Sequence, residues 1–370
     1  MKPLSILHTE SSTGWGGQEL RILTEMEGMQ RRGHRVHLVT AGSAEILPAA
    51  HERGLSVDGL PIEAKKLPGL LAMHRWVGQH GRDFDVINTH SSTDSWLVAL
   101  ARLGRRGMPP IVRPRHVSTP VNTSRSTRWL YASATAEIVV TGEALKTQLV
   151  RDNGLDPARI TSVRTGIDLN RFRPLDHAAA RGTRGVDARP AVVILATLRD
   201  WKGHDELLAA WTTLRIQVPG WQLLIIGDGP RRAHLEARVV SLGLAADVRF
   251  TGNQRDVPEW FACADLAVLP SWGDEGVPQS LMQAAACGLP AVSTTIGAIG
   301  EAVRDGETGI LVTPKNVPAL TEAMARLMND ATLRQRMGAA AHRYAQANFG
   351  IDQMLDGMEH VFERVARGDR

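Results

Sequence analysis

Short apolar runs, most of them closed by Gly, Ser or Thr, alternate along the chain with longer segments in which apolar residues recur every three or four positions. In the first half the runs are PLSILHT (3–9), RVHLVTAG (35–42), DVINTHS (85–91), PPIVRPRH (109–116), AEIVVTG (136–142) and RITSVRTG (159–166). Between them, ELRILTEMEGMQRRG (19–33) has helical period and ends on Gly33, a residue suited to close a helix. Near-continuous apolar strands separated by amphipathic helices predict a parallel sheet covered on both faces.

The rhythm breaks over RFRPLDHAAARGTRGVDARP (171–190), which is charged, holds two prolines and two glycines, and predicts a linker. It then restarts with AVVILAT (191–197), WQLLIIGDG (221–229), DVRFTG (247–252), LAVLPS (266–271), PAVST (290–294) and GILVTP (309–314). The fold class is therefore α/β, with two doubly wound Rossmann-like domains expected at residues 1–175 and 176–345. Residues 346–370 form a last helical segment, and the stretch FGIDQMLDGMEHVFERVARG is able to pack back on the first domain.

Composition narrows the function. The chain has 370 residues, 43% hydrophobic and 22% charged, which suits a soluble two-domain protein. No apolar run approaches the ~20 residues that cross a bilayer, and the N-terminal sequence lacks the apolar core and cleavage site of a signal peptide. The expectation is a cytoplasmic protein with Cys263 and Cys287 as buried, reduced thiols. The net charge of +4 hides an asymmetry: residues 1–175 carry 23 Lys/Arg against 16 Asp/Glu, and the remainder 20 against 23. A basic first half points to an anionic partner such as the inner face of a membrane, a lipid diphosphate or an acidic saccharide. Aromatic residues make up 5% of the chain and no nucleic-acid-binding motif appears, so nucleic acid is not an expected partner.

Ligands of doubly wound sheets bind at the carboxyl ends of the strands. Four loops there carry candidate chemistry. STGWGGQEL (12–20) offers glycines and a helix start to an anion, yet departs from the dinucleotide fingerprint because Glu19 stands where the third Gly belongs. ATLRDWKGHDELL (196–208) sets Arg199 and Lys202 three residues apart at a strand-to-helix transition, a spacing that suits a diphosphate. IIGDGPRRAHLEA (225–237) reads mainly as a structural turn. LPSWGDEGVPQSLMQAAACGLPAV (269–292) holds Asp274 and Glu275 in a glycine-bearing loop, and Pro278 opens an apolar helix. Gln283 follows Glu275 by eight residues, about two turns, and can face the same side.

At this fourth loop the chain resembles the large family of retaining GT-B glycosyltransferases numbered four. Pro270-Ser271 followed by EGVPQSLMQAAACGLPAV matches the family's P-S, then E-G-F-x-x-x-x-x-E-A-x-A-x-G-x-P-V. Residues 196–203, 226–230, 250–252 and 264–271 match its G-R-L-x-x-x-K-G, VGxGP, FxG and ADLxVxPS, and VRTGIDLNRFRP (163–174) its N-G-V-D-x-x-x-F-x-P. The resemblance implies two domains facing across a cleft and a nucleotide-diphosphate sugar as donor. It implies that Lys202 binds the diphosphate, Glu275 holds donor-sugar hydroxyls, and Gly276 and Val277 present backbone N–H groups. Gln283 is implied at the ribose, Gly252-Asn253-Gln254 at the base, and Gly16 and Gly17 over the diphosphate. His116 matches a His near the reacting carbon, and His90 is implied at the acceptor.

Two positions depart from the family pattern. Thr197 stands where the family has a phosphate-binding Arg, with Arg199 as the proposed substitute, and Gln283 replaces the second Glu of the pair. The resemblance implies transfer of a sugar, with retention, to a hydroxyl of a saccharide or lipid-linked acceptor in bacterial lipopolysaccharide, capsule or other envelope polysaccharide synthesis. No Asp-x-Asp site appears, so no cofactor and no Mg²⁺ or Mn²⁺ requirement are expected. The alternatives are a GT-B epimerase or phosphorylase, or a non-catalytic nucleotide-sugar-binding protein, which Gln283 favours.

Overall fold

A computed structural model describes residues 2–116, 121–273 and 275–368; Asp274 lies outside them. The chain divides into two compact units, residues 1–166 with 351–370, and residues 167–350.

The first unit is built on β1 (Ser5–Glu10), β2 (Arg35–Ala41), β3 (Val57–Leu60), β4 (Val86–Thr89), β5 (Ile111–Arg115), β6 (Glu137–Val140) and β7 (Ile160–Ser162). They pair in parallel in the order β3-β2-β1-β4-β5-β6-β7. The second unit holds β8 (Ala191–Leu195), β9 (Gln222–Ile226), β10 (Val248–Gly252), β11 (Leu266–Leu269), β12 (Ala291–Thr294) and β13 (Gly309–Val312). Their order is β10-β9-β8-β11-β12-β13, again all parallel. Both orders reverse beside the first strand of the unit, and such a switch point opens a crevice at the carboxyl edge. The apolar runs read from the sequence all become strands; β3 is the addition. Its VDGL sequence lacks an apolar run because it is an edge strand, half exposed and paired only with β2.

Two boundaries differ from the sequence expectation. The stretch expected as a linker carries a helix, His177–Arg184, capped by Asp176, which accepts from Ala179 N at 2.7 Å. Arg181 anchors it from a buried position, donating to Cys263 O at 2.8 Å and to Asp265 at 3.2 Å. A buried arginine whose donors are met by carbonyls is indistinguishable, in sequence, from a solvated one. The last helical segment, expected at 346–370, begins at Ile351. Helix Ala331–Asn348 belongs to the second unit, whereas Ile351–Arg367 belongs to the first.

That last helix packs through Met354, Leu355, Met358, Val361, Phe362 and Val365, a three-and-four spacing, into the core of the first sheet. Arg32 holds it from outside through Glu359 at 2.6 Å and Asp356 at 2.7 Å. Gly28, in helix Gly17–Arg31, faces Leu355 so closely that a Cβ there would strike its side chain. Gly28→Val is expected to cost about 1–3 kcal/mol by overpacking this contact, read as a lower urea midpoint; an unchanged midpoint would show that the terminal helix yields freely.

Candidate functional site

In the second unit the carboxyl edge gathers three loops. The loop after β8 runs into a single 3-10 turn, Asp200–Lys202, and then Gly203 starts helix His204–Gln217 with φ +77°. A side chain at Gly203 would collide with the Pro270 carbonyl at the end of β11, so glycine is what allows the two loops to touch. Trp272 N donates to Trp201 O at 2.9 Å and joins them. On the far side, Ala298 N donates to Glu275 O at 3.0 Å, and Thr294 Oγ1 to Ser271 O at 2.6 Å.

This frame aims one carboxylate. Glu275 is 7% exposed, and its Oε1 accepts from Lys202 Nζ at 2.5 Å and from Ser271 Oγ at 2.7 Å. A carboxylate so nearly removed from water needs a charge partner and hydrogen bonds, and it has both. Lys202 and Glu275, 73 residues apart, therefore form one unit: a cation presented at the loop, with its counter-charge already supplied.

The other expected residues fall around this pair unevenly. Arg199 is exposed and its guanidinium lies over the Trp201 ring, 5.2 Å from the centroid, rather than in the pair. Helix Gln279–Ala286 starts after Pro278, its N-cap, so Gly276 and Val277 precede the helix instead of opening it. Proline supplies no N–H, which moves the first helical donors beyond it. Gln283 lies in that helix, half-buried. Gly252 ends β10 with φ +71°, where its carbonyl accepts from Gly227 N at 2.9 Å. Asn253 beyond it is exposed, and Gln254 turns its Nε2 back onto Thr251 O at 2.6 Å. β10 is the end strand of its sheet and three strands from β11, so this turn lies well along the edge from Glu275. The sequence reading missed Ser271, which bonds Glu275. It also missed Lys315, whose ammonium sits 3.8 Å over the Trp272 ring and whose φ of 58° is unusual for a side-chain-bearing residue.

In the first unit, Gly16 caps helix Gly17–Arg31 in an extended conformation at φ −173°. A Cβ would fit both there and at Gly14, at ordinary contact distance. These glycines thus leave space at the helix start without being demanded by the backbone. His116 and His90 stand together at the carboxyl edge: His90 Nδ1 meets His116 Nε2 at 3.3 Å, and the rings stack at 5.6 Å. His90 is 3% exposed, with its other nitrogen, Nε2, 3.0 Å from His8 Nδ1. Both ring nitrogens of His90 are thus engaged by neighbouring histidines. Burial pushes both histidines well below their usual range, and Arg21 adds to this. Asp94 braces the His90 backbone, accepting from His90 N at 3.0 Å and from Thr9 Oγ1 at 2.7 Å. Burial, with Asp94 nearby, pushes Glu10 up to about 7.

Known proteins resemble this chain in sequence and fold. Residues 15–171 match the model of glycosyltransferase family 4, and residues 189–330 that of glycosyl transferases group 1. A D-inositol 3-phosphate glycosyltransferase of Rhodococcus opacus is 31% identical over 93% of this chain and 84% of its own. The lipopolysaccharide core biosynthesis mannosyltransferase LpsB of Rhizobium meliloti is 29% identical over 90% of this chain and 95% of its own. Among solved structures, a Rickettsia africae glycosyltransferase superposes with a TM-score of 0.89 at 18% identity, covering 99% of both chains. Anabaena HepE, solved with UDP-glucose, superposes at 0.85 with 21% identity over 97% of this chain and 99% of its own. The structural likenesses establish the GT-B fold and the sequence matches establish the family: this chain belongs to glycosyltransferase family 4, the glycosyl transferases of group 1.

Proposed function

We propose that the protein transfers a sugar from a nucleoside-diphosphate sugar to a hydroxyl of a saccharide or lipid-linked acceptor, with retention at the anomeric carbon, in the building of a bacterial envelope polysaccharide. The observation that carries this reading is the Lys202–Glu275 pair, framed by loops that only glycine lets approach. A donor diphosphate competes with Glu275 for Lys202, and the carboxylate so released accepts from the sugar's hydroxyls. Arg199 adds positive charge at the rim. Gln283 takes one ribose hydroxyl through its amide oxygen, and the Gly252–Gln254 turn borders the base. Among relatives, a protein named for lipopolysaccharide core synthesis and a structure holding UDP-glucose support the acceptor and donor classes.

The chemistry needs little from the protein beyond placed charge. The acceptor hydroxyl attacks from the face that the nucleoside diphosphate leaves, and Lys202 stabilises the charge growing on the departing phosphate. His116 hydrogen-bonds near the reacting carbon, as the resemblance implies. The basic first half suits an anionic acceptor or membrane surface. A second reading, a nucleotide-sugar binder without turnover, is favoured by Gln283, whose amide lacks the charge-assisted strength of a carboxylate.

Thermal shift against UDP, GDP, CMP and dTDP sugars is expected to select one donor class, since a ligand that binds only the folded protein raises its melting temperature. Lys202→Ala is expected to weaken the selected nucleoside diphosphate by ten- to a hundred-fold, from a charge-assisted contact of about 1.5–3 kcal/mol. Arg199→Ala should cost less, because its charge is exposed; calorimetry showing equal loss at both would move Arg199 into the pocket.

Steady-state kinetics separate the two readings. Glu275→Gln should lower kcat, Gln283→Ala should raise donor KM with kcat kept, and Gln283→Glu should be tolerated. Unchanged kcat in Glu275→Gln removes Glu275 from catalysis, and absence of turnover with every donor and acceptor supports the binder.

Activity is also expected to survive excess EDTA, since the charge proposed at the leaving phosphate is supplied by Lys202. A strict dependence on added Mn²⁺ would overturn that assignment.

A further inference from the structure

His8, His90 and His116 lie on three neighbouring strands, β1, β4 and β5, or one residue beyond their ends. The parallel register sets His8 opposite Asn88 and Asn88 opposite Val112, so each histidine stands two residues further toward the carboxyl edge than the last. A step of two returns the side chain to the same face. The imidazoles consequently form a staircase across one face. Its rings stack nearly parallel, 8° and 17° apart, with contacts of 3.0 Å from His8 Nδ1 to His90 Nε2 and 3.3 Å from His90 Nδ1 to His116 Nε2.

Burial holds His8 down to about 3 and its two neighbours well below the usual range, so all three rings are neutral at neutral pH. A neutral imidazole carries one N–H and one lone pair. Two bonds among three such rings can then run in only two directions. If they run from His116 toward His8, the final N–H is His8 Nε2, which is buried without a partner. If they run from His8 outward, that nitrogen is left with a lone pair only. A buried N–H without an acceptor is the rarer and more costly of the two. The Phe362 ring lies perpendicular to the His8 ring, with centroids 6.3 Å apart, and offers no oxygen or nitrogen to accept such an N–H.

We infer that His8 starts a one-way chain, His8 Nδ1–H to His90 Nε2 and His90 Nδ1–H to His116 Nε2, whose buried end holds His116 in the single neutral tautomer with its proton on Nδ1. The tautomer is a statement about the first unit alone; its bearing on turnover rests on the reading of His116 given above. His116 then faces its substrate as a hydrogen-bond donor through Nδ1, with Nε2 already filled. His90 passes on the direction and touches no substrate.

Histidine-selective ¹⁵N labelling tests the tautomers directly, with the His116 signals assigned by their loss in His116→Gln. His90 and His116 are expected to report protonated Nδ1 and bare Nε2; a protonated Nε2 at His116 overturns the inference. In His8→Phe the chain ends at His90 instead; a bare Nε2 is again less costly there than a buried N–H, so His116 should keep its Nδ1 proton while the His90 Nε2 signal loses its hydrogen-bond shift. His8→Asn can place an amide N–H where Nδ1 stood and should restore the His90 Nε2 hydrogen-bond shift. A protonated Nε2 at His116 in a folded His8→Phe protein also overturns it. Should His8→Phe fail to fold, the unsubstituted protein and His8→Asn still decide the tautomer. If His116→Gln turns over at the full rate, the role of His116 in transfer fails while the tautomer result stands.

Discussion

A sheet covered on both faces gives a buried polar group no water to turn to, and the polar chemistry of this chain is arranged by that constraint. Many such groups are met by another brought to them by the fold, and His8 Nε2 is among the exceptions. Asp94 is 0% exposed and is met by Thr9 and the His90 and Ser91 amides. Arg21 spends its donors on Val163 O and Thr165, and Arg181 on the carbonyls around Cys263 and Asp187. The same need, applied to Glu275, produces the Lys202 pair. A structural requirement and a candidate site are thus one arrangement, since the cation that permits the carboxylate to be buried is also the one a phosphate can claim.

Close approach of backbones is the second ingredient. Gly203 touches the end of β11, and Gly297, at φ +55°, touches the Glu275 carbonyl. These contacts clamp the Glu275 loop between the turn after β8 and the turn after β12, which keeps its carboxylate within reach of both Ser271 and Lys202. By contrast, Gly14 and Gly16 in the first unit have ordinary φ values and room for a Cβ. Glycine-rich loops that look alike in sequence therefore differ in kind: one set holds backbone against backbone, and the other leaves open space at a helix start.

Strands were legible because burial on both faces demands continuous apolar runs, closed by turn residues at short spacing. The exception, β3, is an edge strand released from that demand, and it left no run to read. The helix His177–Arg184 was hidden for the opposite reason: its arginines and polar residues look solvated, and only the carbonyls around Cys263, some 80 residues away, show why Arg181 is buried. The Pro278 N-cap shows a finer limit, since proline at a helix start fits either the cap or the first turn.

The sequence by itself determined the α/β class, the two-fold repetition of a parallel sheet and, through an ordered series of motifs, the family. Those follow from local periodicity and from residue types at fixed spacing, which a linear string records. Only the tertiary structure decided which residues meet. It joined Glu275 to Lys202, turned Arg199 onto Trp201, returned the last helix to the first sheet, and enclosed His90 between His8 and His116. The physical reason is that charge pairing, ring stacking and hydrogen-bond direction depend on distance in space, and parallel strands bring together residues whose separation along the chain carries no trace of it.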